Sequence, residues 1–170
     1  MTTVAITMVR NEADVITGTL RHMAGEVDGI IVADNGSTDG TRDILDQLAA
    51  ELPMTVVDDP EPAYYQSAKM TRLAAQAALM GATWIVPFDA DELWYSHAGR
   101  IADVLTAMPA DLSIARADLF NHYATSIDPD TGNPFTSMVW RSPGPGALPK
   151  VAFRWEPGAV IHQGNHGVTL

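Results

Sequence analysis

Three carboxylates stand within four consecutive positions, Asp89, Asp91 and Glu92, directly after the apolar run Trp84-Ile85-Val86-Pro87-Phe88. Like charges this close repel and raise one another's pKa, so a strand tip gains nothing from them unless a cation sits there. A divalent ion is the matching partner, because hard cations select oxygen ligands. Read alone, an Asp-x-Asp is also what a solvated acidic turn looks like. The decision rests on what other polar groups the fold brings to the same place.

The surrounding pattern says where that place is. Val4 to Val9 is a nearly continuous apolar run, as expected of a parallel strand covered on both faces, and Arg10-Asn11-Glu12 breaks it. Ile16, Leu20, Met23 and Val27 then recur at helical spacing. Gly29 to Ala33 is a second buried strand ending at Asp34, followed by the turn-forming and cap-forming run Asn35-Gly36-Ser37-Thr38-Asp39-Gly40-Thr41. Ile44, Leu45, Leu48 and Leu52 mark a second helix, Met54 to Val57 a third strand, and Met70, Leu73, Ala77 and Met80 a third helix, with Ser67 expected as its cap and Gly81 at its end. The Trp84 strand completes β-α-β-α-β-α-β with short connections, which implies parallel strands and right-handed crossovers. Ligands of such sheets sit at the carboxyl ends of the strands, and Asn11, Asp34 and Asp89–Asp91 all fall there.

Beyond the acidic tip, Ile101, Val104, Leu105 and Met108 mark another helix, closed by Pro109, and the character then changes. Leu112 to Ala117, Val151 to Arg154 and Ala159 to Ile161 read as strands, with Asp128-Pro129-Asp130-Thr131-Gly132-Asn133-Pro134 as a turn between antiparallel neighbours. Ser142-Pro143-Gly144-Pro145-Gly146 is a loop suited to a lid or an acceptor site. The expected class is α/β: a mostly parallel central sheet flanked by helices, with a small antiparallel C-terminal addition. No repeat or linker divides the 170 residues, so one domain is expected over 1–170.

Composition narrows the functions. A content of 46% hydrophobic and 18% charged residues is that of a folded globular chain. The net charge of −11, with Lys69 and Lys150 the only lysines, excludes a phosphate-backbone grip on nucleic acid. Cysteine is absent, so disulfides and thiolate chemistry are excluded. Met1-Thr2-Thr3-Val4 carries no basic leader and no apolar run approaches a membrane span, which makes the cytoplasm the expected location. Oligomeric state is left open.

Three pieces of the chain together resemble the family 2-like glycosyltransferases of GT-A (Rossmann-like) fold. Val9-Arg10-Asn11-Glu12 is similar to the end of that family's first strand, Val32-Ala33-Asp34-Asn35-Gly36-Ser37-Thr38-Asp39-Gly40-Thr41 to its most specific segment, and Phe88-Asp89-Ala90-Asp91-Glu92 to its metal motif. The similarity covers roughly residues 3 to 95, implying a nucleotide-binding half over 1–95 and an acceptor-side half over 96–170. It implies that Asp34 accepts a hydrogen bond from the base of a nucleoside diphosphate-sugar, UDP favoured, with the backbone at Val9 and with Asn11 in the same pocket. Arg72 would lie near the nucleotide, although the local signature is altered to Thr71-Arg72-Leu73. Asp91 would hold Mn²⁺ or Mg²⁺ on the diphosphate, Asp89 would contact ribose or metal, and His162, with His166 second, would complete the ligand set.

The implied activity is transfer of a sugar, as in hexosyltransferases, to an acceptor that the sequence leaves open. An inverting mechanism needs a carboxylate to take the acceptor's proton. Asp118, Asp128 and Glu156 are available, and spacing does not choose among them; a retaining mechanism needs none. Two rivals stand beside this reading. A sugar nucleotidyltransferase would be expected to carry a glycine-rich basic loop where this chain has Arg10-Asn11-Glu12-Ala13, and a non-catalytic binding or assembly module would keep the fold without turnover.

Overall fold

The computed structural model describes residues 2–131 and 133–170. Expectations placed on Met1, and on Gly132 within the Asp128–Pro134 turn, lie outside the described residues.

The first apolar run forms β1 (Thr3–Val9), in which every residue but Met8 is buried. It is followed by α1 (Ile16–Glu26), β2 (Gly29–Asp34), α2 (Thr41–Ala49), β3 (Met54–Asp58), α3 (Gln66–Leu79) and β4 (Trp84–Pro87). β1 pairs in parallel with β2 and with β4, and β2 in parallel with β3. After α4 (Ile101–Ala107) come β5 (Ile114–Ala117), β6 (His122–Tyr123), the short α5 (Pro134–Ser137), β7 (Trp140–Arg141) and β8 (Lys150–Arg154). β8 returns antiparallel to β4, and β5 pairs antiparallel with β8, which gives a six-stranded sheet of order β3-β2-β1-β4-β8-β5. β6 and β7 form a separate two-stranded piece, as do β9 (Val160–Ile161) and β10 (Val168–Thr169) around a 3₁₀ turn at Gln163–Asn165.

Alternation along β1 explains why the run is apolar throughout. Ala5 and Val9 face one core with Ile16, Leu20 and Met23 of α1, Leu45 and Leu48 of α2, and Ile101 and Leu105 of α4. Val4 and Ile6 face the other, with Met70, Leu73 and Ala77 of α3. Each fully buried Leu, Ile or Met contributes roughly 1.5–3 kcal/mol from apolar burial, so these two layers hold the sheet rigid. Gly81 ends α3 with a φ of 94°, a value that glycine adopts freely. Ser67 does not cap α3: the helix starts one residue earlier, and the Ser67 hydroxyl donates to the Ile161 carbonyl. Among the described residues no helix is long and apolar enough to cross a membrane.

One polar clamp ties the far edge of the sheet together. Arg100 donates to the carbonyls of Gly25 and Val27 and to Asp28, while Asp28 also accepts from the backbone N–H of Thr3. Partial burial raises the Asp28 pKa, but the Thr3 N–H and Arg100 outweigh it and leave the carboxyl below its ordinary value. Asp28 therefore stabilises the fold above the unfolded-state pKa, and that contribution is lost as pH falls through the lower folded value. Asp28→Asn is expected to lower Tm at pH 7 by about 2–4 °C, corresponding to ~1 kcal/mol. The gap from wild type should close below about pH 4; calorimetry across pH 3–7 checks this.

Candidate active site

Backbone register decides which side chains can meet. Val9 lies opposite Asp34 and Asp34 opposite Asp58, while Ile6 opposite Pro87 carries the same row on to the Asp89–Glu92 turn. Lys150 lies opposite Ala117, so the β8 start and Asp118 come to this edge as well. Arg154 lies opposite Trp84, which sends Glu156 to the other end of the strands. The carboxyl edge thus gathers Asp34, Asp89, Asp91, Asp118 and Lys150.

The polar run after β2 is occupied with building that edge. Ser37 Oγ accepts the Asn11 N–H at 3.0 Å, and Asn11 Oδ1 accepts the Thr38 N–H at 2.8 Å. Thr41 Oγ1 accepts the Glu12 N–H at 2.8 Å, and Asp39 accepts from the Ala13 N–H and from Thr41. The Thr41 bond is the main reason Asp39 is held below its ordinary pKa. Four side chains therefore satisfy backbone donors of two loops at once, and Asn11 itself adopts a φ of 58° to do so. Asn11 is a staple here, with its side-chain oxygen turned to Thr38. Asp34 is buried; one oxygen accepts the Ser37 N–H, and the other faces Arg42 at 4.0 Å.

A second network was not foreseen. Asp59 is 2% exposed and pairs with Lys69 Nζ at 2.6 Å, with Arg72 at 3.3 Å and with Asn35 Nδ2 at 3.1 Å. Lys69 is itself buried, whereas the Arg72 side chain is 64% exposed. The available signal was Lys69, four residues before Leu73 and so on the face of the buried stripe.

At the acidic turn, Lys150 Nζ lies 2.6 Å from Asp89 Oδ2 and 2.8 Å from Glu92 Oε1. Asp89 Oδ1 accepts from Asn165 Nδ2 at 2.8 Å and from Gln66 Nε2 at 3.4 Å. Burial pushes the Glu92 pKa up, against the pull of Lys150; burial also works against the charge of Lys150, yet Asp89 and Glu92 hold its pKa above the ordinary value. The ammonium is therefore retained. Asp91 is exposed and, among the described residues, carries no hydrogen bond or ion pair. Its charge, after burial, is the largest influence raising the pKa of Glu12.

The histidines separate. His162 is exposed, with Nε2 against Thr169 Oγ1 at 2.8 Å. His166 is half-buried, and its Nδ1–H donates to the Pro149 carbonyl at 2.9 Å, which leaves Nε2 as the free acceptor. A backbone carbonyl on the second ring nitrogen is the usual support of a ligating histidine, so geometry ranks His166 above His162. Among the described residues no three His, Asp or Glu side chains form a ready metal cage. A divalent ion at this turn would find one unpaired carboxylate, Asp91, and would need most of its oxygen ligands from elsewhere, as is common for Mg²⁺.

A cleft of about 1100 Å³ opens beside this turn, and Asp91, Glu92, Trp94, Asp118, Phe120 and Arg141 are among its walls. Trp94 is largely buried, and its carbonyl accepts from His22 at 2.6 Å, which fixes the cleft floor to α1. Asp128 is turned into its own loop, bonded to Thr125, and Glu156 bonds Ser113.

In open, mostly parallel α/β sheets the carboxyl edge, here with its acidic turn and neighbouring cleft, is where ligands bind. The profile described as Glycosyl transferase family 2 matches residues 4–161, and the chain belongs to that family. No curated protein matches the sequence. Among solved structures it is similar to S. aureus TarS 1-349 in complex with UDP, at 19% identity and TM-score 0.50, covering 63% of this chain and 31% of that one. The same protein in complex with UDP-GlcNAc aligns at 22% identity and TM-score 0.47, over 54% and 27% of the two chains. A 4-diphosphocytidyl-2C-methyl-D-erythritolsynthase from Anaerococcus prevotii aligns at 13% identity and TM-score 0.48, over 90% and 71%. The chain thus spans about 30% of the TarS 1-349 chain it matches, and the mixed α/β, GT-A-like fold is shared.

The two cations on Asp59 should differ sharply. Lys69→Met leaves a buried carboxylate short of its main partner and is expected to cost about 3 kcal/mol in urea unfolding. Arg72→Ala, at an exposed pair, should cost under ~1 kcal/mol.

Proposed function

We propose that this chain is a nucleotide-sugar-dependent glycosyltransferase domain that uses a divalent cation, with the donor along the β2–β1–β4 edge and the acceptor in the Asp118 cleft. The observation that carries the reading is that Asp91 and Asp118 line one cleft. It sits in a chain of glycosyl transferase family 2, at the carboxyl ends of parallel strands.

In this reading Asp34 accepts from the base through the oxygen its Ser37 bond leaves open, beside the Val9 backbone. Arg72, exposed and only loosely paired, reaches the nucleotide. Asp89, oriented by Lys150 and Asn165, faces the ribose side. Asp91, with His166 the better placed of the two histidines, holds Mn²⁺ or Mg²⁺. When bound, the ion supplies Lewis-acid stabilisation of the charge on the departing diphosphate. Asp118 takes the acceptor hydroxyl proton as its oxygen bonds to the anomeric carbon and the bond from that carbon to the diphosphate breaks, a single displacement that inverts configuration. The division at residue 95 into donor and acceptor halves carries over, with Lys150 and Asn165 crossing back to the donor side. UDP is the first donor nucleotide to try, since TarS has been crystallised with UDP and UDP-GlcNAc. The loop after β1 lacks glycine and is closed by bonds to Ser37, Asp39 and Thr41, which speaks against a nucleotidyltransferase loop.

Thermal shift with UDP-, GDP- and TDP-sugars, with and without Mn²⁺, tests the reading. A metal-dependent rise in Tm is expected, worth about 2.7 kcal/mol at a ligand concentration 100-fold above Kd, and Asp91→Ala should remove its metal-dependent part. If no nucleoside diphosphate stabilises the protein with any metal, the proposal is wrong. Once an acceptor is in hand, Asp118→Asn should lower kcat by about 10²–10⁴-fold with KM little changed; an Asp118→Asn enzyme with normal kcat removes Asp118 as the base.

A further inference from the structure

Two of the three acidic groups at the β4 edge already have a cation. An ammonium has three N–H donors, and those of Lys150 point at Asp89 Oδ2 (2.6 Å), Glu92 Oε1 (2.8 Å) and the Gly164 carbonyl (2.8 Å). The Lys150 side chain is 4% exposed, so water does not compete for these bonds. Asp89 is held from its other side by Asn165 and Gln66, and Gln66 in turn accepts the Gly164 N–H at 2.6 Å. The buried Asn165 Oδ1 has no hydrogen-bond partner among the described residues. Asp91, two residues from Asp89, is outside the web altogether.

We propose that Lys150 is a built-in counter-cation that leaves the acidic turn a single free carboxylate, Asp91, so that a divalent ion is held only jointly with the diphosphate of a bound nucleotide. The inference rests on the nucleotide-sugar reading above. Three unpaired carboxylates in one turn would bind Mn²⁺ before any substrate arrived and keep it afterwards, since affinity for hard cations rises with the number of charged oxygen ligands. With Asp89 and Glu92 neutralised, the ion comes and goes with the diphosphate. Lys150 is accordingly a positioning residue: it fixes Asp89 and Glu92 away from the metal and touches no reacting atom.

Mn²⁺ binding without nucleotide, followed by the EPR signal of the free ion, tests this in the full chain. Wild type should bind weakly, and Lys150→Met, which frees two carboxylates, should bind about tenfold tighter or more. Such a gain is not something a merely structural lysine yields on removal; unchanged or weaker binding by folded Lys150→Met overturns the proposal. Asp91→Ala, at an exposed position, gives a reading independent of how well the lysine variant folds. It should abolish nucleotide-free Mn²⁺ binding, and retained binding overturns the proposal because Asp89 and Glu92 would then be available. Titration of wild type with UDP in the presence and absence of Mn²⁺ separates the two levels. If Mn²⁺ fails to strengthen UDP binding, the nucleotide–metal reading falls and this inference with it; if it strengthens UDP binding while Lys150→Met leaves Mn²⁺ affinity unchanged, only the counter-cation falls.

Discussion

A lysine ammonium buried between two carboxylates holds the two halves of this fold in register. Lys150 begins β8, Asp89 and Glu92 follow β4, and Gly164 and Asn165 belong to the C-terminal turn, so one cluster ties three segments distant in sequence. Desolvating three charges opposes folding, and a well-packed apolar cluster of the same volume would stabilise as much or more. What the ion cluster adds is direction. Apolar contacts tolerate a slip along the strand; an ammonium with three fixed acceptors does not, and β8 is locked where its first residue meets the β4 turn.

The same logic runs along the β1–β2 edge, where side chains meet backbone donors rather than an ammonium. Ser37, Asp39, Thr41 and Asn11 fasten the loop after β1 to the loop after β2 through backbone N–H groups. Each of those donors sits beyond a strand end, where the sheet ladder no longer satisfies it. The result is a shelf on which Asp34 keeps one oxygen without a hydrogen bond among the described residues, facing Arg42 at 4.0 Å, while Asp91 beyond β4 is unpaired among them. A polar-rich motif at a sheet edge is therefore mostly scaffold, and its one or two unbonded atoms are the part left for a ligand.

This division explains what the amino-acid pattern disclosed. The parallel half was legible because each element carries its own signal: two-sided burial makes β1 apolar throughout, and one-sided burial gives α1 its Ile16, Leu20 and Met23 stripe. The position of Asp34, Asp89 and Asp91 on one edge followed from strand order alone. The partners of those groups were not legible, because a lysine 61 residues away and an asparagine 76 residues away from Asp89 are brought in by antiparallel return strands of two to five residues. In the sequence Lys150 is only the residue before the Val151 to Arg154 run. Its only advance signal was rarity, in a chain with two lysines, both of which turn out to be buried against carboxylates. The choice among Asp118, Asp128 and Glu156 was closed to spacing for the same reason: register, set by Arg154 against Trp84 and Lys150 against Ala117, is what puts Glu156 at one end of the strands and Asp118 at the other.

That register also links the β4 turn to the cleft. β8 lies between β4 and β5, so Lys150 faces Asp89 and Glu92 through its side chain while its backbone pairs with Ala117, next to Asp118. Lys150 is itself a wall of the cleft that Asp91 and Asp118 share. In the proposed reading, the separation between Asp91 as metal holder and Asp118 as proton acceptor would decide whether a sugar fits between them in a reactive pose, and small errors there cost rate steeply. Here that separation is set by one strand spacing and one buried cation. The β6–β7 ribbon and the loops around it, which supply Phe120 and Arg141 to the cleft wall, lie outside the six-stranded sheet.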